Sequence, residues 1–250
     1  MLKSPTEIIV DSWNLYKKNW RGFLPFIIML FLPTLILSAI GTISLYLSVY
    51  LPSAALFSNI IIMLVFAASM VFAIWVTTAL ARTILDSLVG NQIKWKETFS
   101  TSSALIWPVI LVSLLITLSV IGGTLLLIIP GIIFAVWYTF ASYAVILDGA
   151  KGLNALRASK ALVVGRWWAV AGRILFIALV FGVLNAALTY PLIFLIKMIP
   201  LPTFIQSASA AILSVVINSF TAPLSAGATI ILYQSAKQNP VVSTALPPQI

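Results

Sequence analysis

The sequence has no cysteine, no histidine and only five acidic residues, Glu7, Asp11, Asp86, Glu97 and Asp148. Without cysteine there is neither disulfide nor thiolate chemistry, and nothing to read about redox compartment. Without histidine the commonest general base and the commonest metal ligand are both missing. All five acids fall at or near the edges of apolar segments and none at the middle of one. That composition argues against zinc sites, Ser/His hydrolases, paired-aspartate membrane proteases and carboxylate-driven proton pumps. No catalytic, cofactor-binding or metal-ligating residue is assigned, no cofactor is expected, and the chain is read as non-enzymatic.

Charge is scarce as well: 8% of the 250 residues are charged and 62% are hydrophobic, against about 25% charged in a soluble domain. Each bilayer crossing needs roughly 20 apolar residues for a hydrocarbon core about 30 Å thick. Apolar runs at about 23–50, 54–82, 104–129, 131–148, 168–196 and 205–234 supply six of them. The fold class is therefore all-α, a polytopic helical bundle of about six transmembrane helices with additional interfacial helices. Residues 1–237 are expected to form one transmembrane domain and 238–250 a disordered tail. The first run is too long for a signal-peptide core and reads as a retained span.

Ser4-Pro5-Thr6-Glu7 is a capping box with proline at the first helical position, which starts an interfacial helix over 4–20. Ile9, Trp13, Tyr16 and Trp20 form one stripe, Glu7, Asp11, Asn14 and Lys18 the other. The helix either lies flat in the interface, aromatic side down, or packs on the protein's own face. Pro52, Pro130-Gly131 and Ile199-Pro200-Leu201-Pro202 read as tight turns on one side of the membrane, with Pro130-Gly131 breaking the helix. Because the fourth run is short, runs three and four are alternatively a partly re-entrant hairpin. Asp148-Gly149 is read as a helix end, and Trp167-Trp168 as an interface anchor.

Thirteen of the 14 basic residues fall on one side of the runs, with Lys197 alone on the other. The positive-inside rule then makes the basic side cytoplasmic, with both termini there, in a multi-pass cell-membrane protein. The net charge of +9 flanks apolar segments and forms no separate domain. A membrane surface, not nucleic acid, is the expected acidic partner. Lys151, Arg157, Lys160 and Arg166, with no acid among them, are candidate contacts for anionic headgroups. Asn185 and Asn218 are candidate polar contacts inside spans, either joining helices or binding a solute, and Ala178, Gly182 and Ala186 make a small-residue stripe for close helix contact. Arg82 and Asp86, four apart, are placed to pair. Asp148 has Lys151 and Arg173 as nearby cations. A threefold repeat over 1–85, 86–148 and 149–237 is suggested by Ser12, Leu15 and Trp20 recurring as Ser159, Leu162 and Trp167.

Pro130-Gly131-Ile132-Ile133, the aromatic run ending Val145-Ile146-Leu147-Asp148-Gly149, and the segment Asn154 to Trp167 resemble the signature region of a prokaryotic group of six-span proteins. That group includes the membrane domain attached to some glycerophosphoryl diester phosphodiesterases and related uncharacterised membrane families. The resemblance covers residues 128–170, and Lys160 departs from the aromatic residue often expected after the serine. It implies a fold and an envelope location. In that group the phosphodiesterase activity belongs to a separate soluble domain, which nothing here resembles. Two functions follow: envelope organisation through binding of lipid, a partner protein or a second copy, or transport as a small carrier or permease subunit. In the second, helices at 94–103 and 151–166 would dock an ATPase.

Overall fold

The computed structural model describes residues 2–51 and 55–240, and every regular element in them is helical. The first helix, α1 (Pro5–Tyr50), opens on the capping box: the Glu7 N–H donates to Ser4 Oγ at 3.2 Å and the Ser4 N–H to the Glu7 carboxylate at 2.9 Å. Two amides that the helix cannot satisfy thereby find acceptors. At Asn19 the backbone leaves helical geometry (φ −119°, ψ 16°). The Asn19 side-chain amide donates to the Leu15 carbonyl at 3.1 Å. This kink separates the N-terminal segment of α1 from its apolar length.

The segment before the kink packs on the protein itself. Ile8 and Ser12 are buried, Ser12 Oγ donates to the Leu224 carbonyl at 2.6 Å, and the Lys3 N–H donates to Ser235 Oγ at 2.9 Å. Lower numbers on α1 meet higher numbers on the last helix, so the two run antiparallel. Trp13 and Trp20 stay about half exposed beside that contact. The contact is made through Ile8 and Ser12, which places Trp13 and Trp20 on the side of the helix left uncovered by the protein.

The second helix, α2 (Ala55–Val89), runs on past Arg82, and the turn expected at Pro52 lies outside the described residues. A short helix, α3 (Trp95–Ser102), docks on it: Trp75 donates its indole N–H to the Phe99 carbonyl at 2.9 Å, with the two rings 4.0 Å apart. One 3₁₀ turn, Ser103–Leu105, leads into α4 (Ile106–Leu126).

The fourth apolar run is two helices, α5 (Ile128–Trp137) and α6 (Ala141–Asp148). The break before α5 falls at Leu127, which is extended (φ −163°, ψ 148°), and not at Pro130-Gly131. Pro130 sits in the first turn of α5, where a missing N–H costs nothing. Gly131 has a different job. A Cβ there would lie 2.1 Å from Thr124 Oγ1 and 3.0 Å from Thr124 Cα, and one on Gly123 would lie 3.0 Å from the Gly131 nitrogen. Absent side chains at both positions let α4 and α5 touch backbone to backbone.

The chain continues through α7 (Leu153–Val163), α8 (Trp167–Met198) and α9 (Thr203–Gln238). Gly149 ends α6 in the left-handed conformation (φ 71°), its N–H bonded to Val145, as the sequence implied. Helix α9 carries ordered structure to Gln238. The rest of the expected tail, 241–250, lies outside the described residues. Among the described residues, six helical stretches are long and apolar enough to cross a membrane. Three times over, a helix at the basic end leads into a pair of apolar stretches.

Burial is concentrated at the basic end. Phe23, Phe26, Val76, Leu80, Ile84, Val112 and Val145 form one core, and Ile8, Phe140, Val170, Leu232 and Tyr233 a second. Toward the other end the side chains are apolar and exposed, among them Leu56, Phe57, Met63, Phe194 and Met198. So much uncovered apolar surface would be costly in water and costs nothing in hydrocarbon.

Candidate functional site

Three helix ends meet around the α5–α6 break, and polar side chains hold them. Residues 138–140 leave backbone groups of the broken span without helical partners. Ser159 of α7, fully buried, supplies both: its Oγ donates to the Trp137 carbonyl at 2.7 Å and accepts from the Phe140 N–H at 3.1 Å. Leaving such buried groups unpaired costs about 1–3 kcal/mol each. Ser12, its counterpart in the suggested repeat, also donates to the carbonyl of another helix.

The four candidate headgroup cations separate into two roles. Helix α7 turns Ala155, Leu156, Ser159 and Val163 inward and presents Leu153, Arg157, Lys160 and Val164 on an exposed stripe. Lys160 Nζ rests 4.2 Å from the centre of the Trp137 ring of α5. Lys151 and Arg157 make no ion pair among the described residues. Arg166 is different: its guanidinium donates to the carbonyls of Leu162, Ala236 and Asn239, capping the ends of α7 and α9. Burial lowers its pKa. Arg166 thus commits three of its five N–H donors to backbone carbonyls, which Lys151, Arg157 and Lys160 do not.

Beside Lys160 lies an apolar groove of about 650 Å³, lined by Ile129, Ile132, Ile133 and Trp137 of α5, by Val164 and Gly165, and by Trp167 and Trp168 opening α8. Trp167 and Trp168 pack edge to face with centroids 4.6 Å apart, and Trp168 is 83% exposed. The buried indole N–H of Trp167 has no acceptor among the described residues. The lining is apolar apart from the indole N–H groups, and the Lys160 ammonium stands over one of its tryptophans.

Asn185 and Asn218 are not brought together. Asn185 Nδ2 donates to Thr221 Oγ1 of α9 at 2.9 Å, joining α8 to α9, whereas exposed Asn218 bonds the Ser214 carbonyl of its own helix at 2.7 Å. Sequence reading found one partner of the α8–α9 contact and missed Thr221. The small-residue stripe is also corrected: Ala178 and Gly182 are exposed, and Ile177 and Phe181 pack on α9 in their place.

The acids find other partners than the sequence suggested. Asp148 accepts from the Tyr233 hydroxyl and pairs with Lys237 at 2.6 Å, both on α9, instead of Lys151 or Arg173. Arg173 donates to the Lys3 carbonyl at 2.7 Å and so ties the N-terminal segment to α8. Arg82 turns from Asp86 to the Ile146 carbonyl and Thr101 Oγ1. Those two residues, with Asn91, Gln92, Lys94 and Glu97, line a polar cavity of about 550 Å³ at the basic end. Among the described residues no three His, Cys, Asp or Glu side chains gather as a metal site would require.

Fold and composition together define a multi-pass, all-helical membrane protein. No family model, curated protein or solved structure matches the chain.

Proposed function

We propose that this chain is a non-catalytic cell-membrane protein that binds an anionic phospholipid in the groove between α5 and the α7–α8 corner, and that it organises the envelope through that contact. The observation that carries the reading is the pairing of an apolar groove with an exposed cation at its rim. Three isoleucines and three tryptophans offer a bed for an acyl chain, and the Lys160 ammonium over Trp137 marks where a phosphate would sit. Arg157 stands next to it on the same stripe, and no acid follows Asp148 in the sequence. Each cation near an anionic surface contributes about 1 kcal/mol. The acids support a non-enzymatic role: Asp11, Glu97 and Asp148 are ion-paired and Glu7 caps a helix. The transport reading has less to stand on, because Asn185 and Asn218 are not brought together and each donates its amide N–H within the protein, to Thr221 and to the Ser214 carbonyl, although the Asn185 side-chain oxygen is buried without a partner among the described residues. The resemblance to six-span envelope families agrees with the proposal and supplies no ligand.

The test is lipid retention on purification. Arg157→Gln/Lys160→Gln should retain several-fold less anionic phospholipid than wild type in native mass spectrometry, with neutral lipid unchanged. Arg166 is left intact because its loss would uncap two helices. Equal retention would leave these cations with a topological role alone.

The proposed topology has its own test. Five exposed aliphatic residues, Leu125 to Ile129, form the tip of the α4–α5 hairpin, and Ile129 shares the groove with Trp167 and Trp168 at the start of α8. Helix α5 has 10 residues, about 15 Å, whereas α8 has 32, about 48 Å. The hairpin tip is therefore expected to stop inside the bilayer. On this cysteine-free background an impermeant thiol reagent should modify Leu201→Cys from outside and Leu126→Cys from neither side. Outside labelling at Leu126 would mean a hairpin that crosses fully.

A further inference from the structure

A second cavity, sharing no residue with the groove, lies where the α1 kink meets the loop after α2. It measures about 640 Å³ and is lined by Lys17, Lys18, Asn19, Trp20, Arg21 and Gly22 on one side and Asn91, Gln92 and Ile93 on the other. Three features build it. The kink at Asn19 gathers Lys17, Lys18 and Arg21 within about one turn of chain. Gly90, at φ +85°, turns the chain out of α2 so that 91–93 cross α1. Gly22 admits Ile93 so closely that an added Cβ would lie 2.5 Å from Ile93 Cδ1.

The chemistry of the lining is one-sided. Among the described residues, three cations and three carboxamides line the space and no carboxylate does; of the carboxamides, Asn19 already donates to the Leu15 carbonyl. The nearest acids in the lining of its neighbour, Asp86 and Glu97, belong to the adjoining polar cavity, which shares only Asn91 and Gln92. Lys17 lies 5.9 Å from the Trp13 ring centre and Arg21 5.6 Å from that of Trp20, so two of the cations rest on aromatic faces. None of the three has an ion pair among the described residues. Trp13, Trp20 and Val89 around it are exposed, which is the setting of the headgroup layer and not of a soluble-ligand pocket.

We infer that this cavity binds the phosphate headgroup of an anionic phospholipid, with Lys17, Lys18 and Arg21 as its cationic contacts and the Asn91 and Gln92 amides as hydrogen-bond donors. Trp13 and Trp20 hold the site at headgroup depth. The site is independent of the α5 groove, and either can be lost without the other.

The experiment titrates phosphatidylglycerol into delipidated, detergent-solubilised full-length protein and counts bound lipid by native mass spectrometry. Wild type is expected to show saturable binding that Lys17→Gln/Lys18→Gln/Arg21→Gln weakens about a hundredfold at one site, from three cations near an anionic surface. Lys17→Arg/Lys18→Arg/Arg21→Lys, which keeps the charge, should retain it, and this second variant guards against a fold defect in the first. Lys96→Gln, an exposed cation outside the cavity, should change nothing. The inference is overturned if the Gln triple variant binds as wild type does, if Lys96→Gln lowers binding equally, or if inorganic phosphate at matched concentration displaces the lipid, which would make it a soluble-anion site. Loss in Arg157→Gln/Lys160→Gln alone would sustain the α5 groove and reject this cavity.

Discussion

Gly131→Leu is expected to abolish recovery of folded protein, read as loss of the monodisperse peak in size-exclusion chromatography. A Cβ at Gly131 meets Thr124 Oγ1 at 2.1 Å, Thr124 Cα at 3.0 Å and Thr124 Cβ at 3.0 Å. The hydroxyl can rotate away, but the backbone of α4 cannot. Alanine alone would cost about 1–3 kcal/mol by overpacking, and the larger side chain would drive α4 and α5 apart. That movement would drag the α5–α6 break off Ser159 and open the groove. Gly122→Leu is the control, since a Cβ at Gly122 has nothing within 4 Å. If Gly131→Leu behaves like Gly122→Leu, the close contact between α4 and α5 does not exist.

Asp148→Ala should lower stability by about 3 kcal/mol, measured by thermal or denaturant unfolding in detergent. Most of that arises at Tyr233, which is 1% exposed and packs with Phe140 and Tyr143 at centroid distances of 5.5 and 6.1 Å. Its hydroxyl donates to the Asp148 carboxylate, and without an acceptor it would be a buried, unpaired donor. A hydrogen bond to a charged acceptor contributes about 1.5–3 kcal/mol. The ion pair to Lys237 adds less, because its side chains are 31% and 50% exposed and water screens them. Asp148→Asn, which keeps an acceptor, should cost about 1 kcal/mol, and Lys237→Gln less than that. Equal effects from Asp148→Ala and Lys237→Gln would show that the carboxylate serves the surface pair and not the buried hydroxyl.

The helical class and the approximate positions of the apolar helices were legible because bilayer thickness imposes a length that a single sequence displays. The capping box at Ser4 and the glycine end at Gly149 were legible because both are local. What was missed depends on contacts distant in sequence. Nothing near Asp148 announces Tyr233 and Lys237, which lie a whole helical hairpin away. Pro130-Gly131 looked like a break because proline and glycine usually punctuate a chain, yet the glycine there is needed for helix approach. Arg166 looked like its neighbouring cations, and only the ends of α7 and α9 turn it into a cap. The basic cavity at the kink was hidden for a related reason: Lys17, Lys18 and Arg21 were visible as topology signals, but the loop at 91–93 that closes a site over them was not. The groove itself could have been suspected from the three isoleucines of α5 facing the tryptophan pair at 167 and 168, had the α5–α8 contact been known.

Lipid binding in that groove is tested most directly by photocrosslinking in living cells from benzoylphenylalanine placed at Ile132, inside the groove, and at Leu175, 69% exposed on α8 outside it. Mass spectrometry of the crosslinked lipid should find anionic phospholipid enriched several-fold at Ile132 over Leu175, and the enrichment lost in Arg157→Gln/Lys160→Gln. The same lipid mixture at both positions would contradict the account.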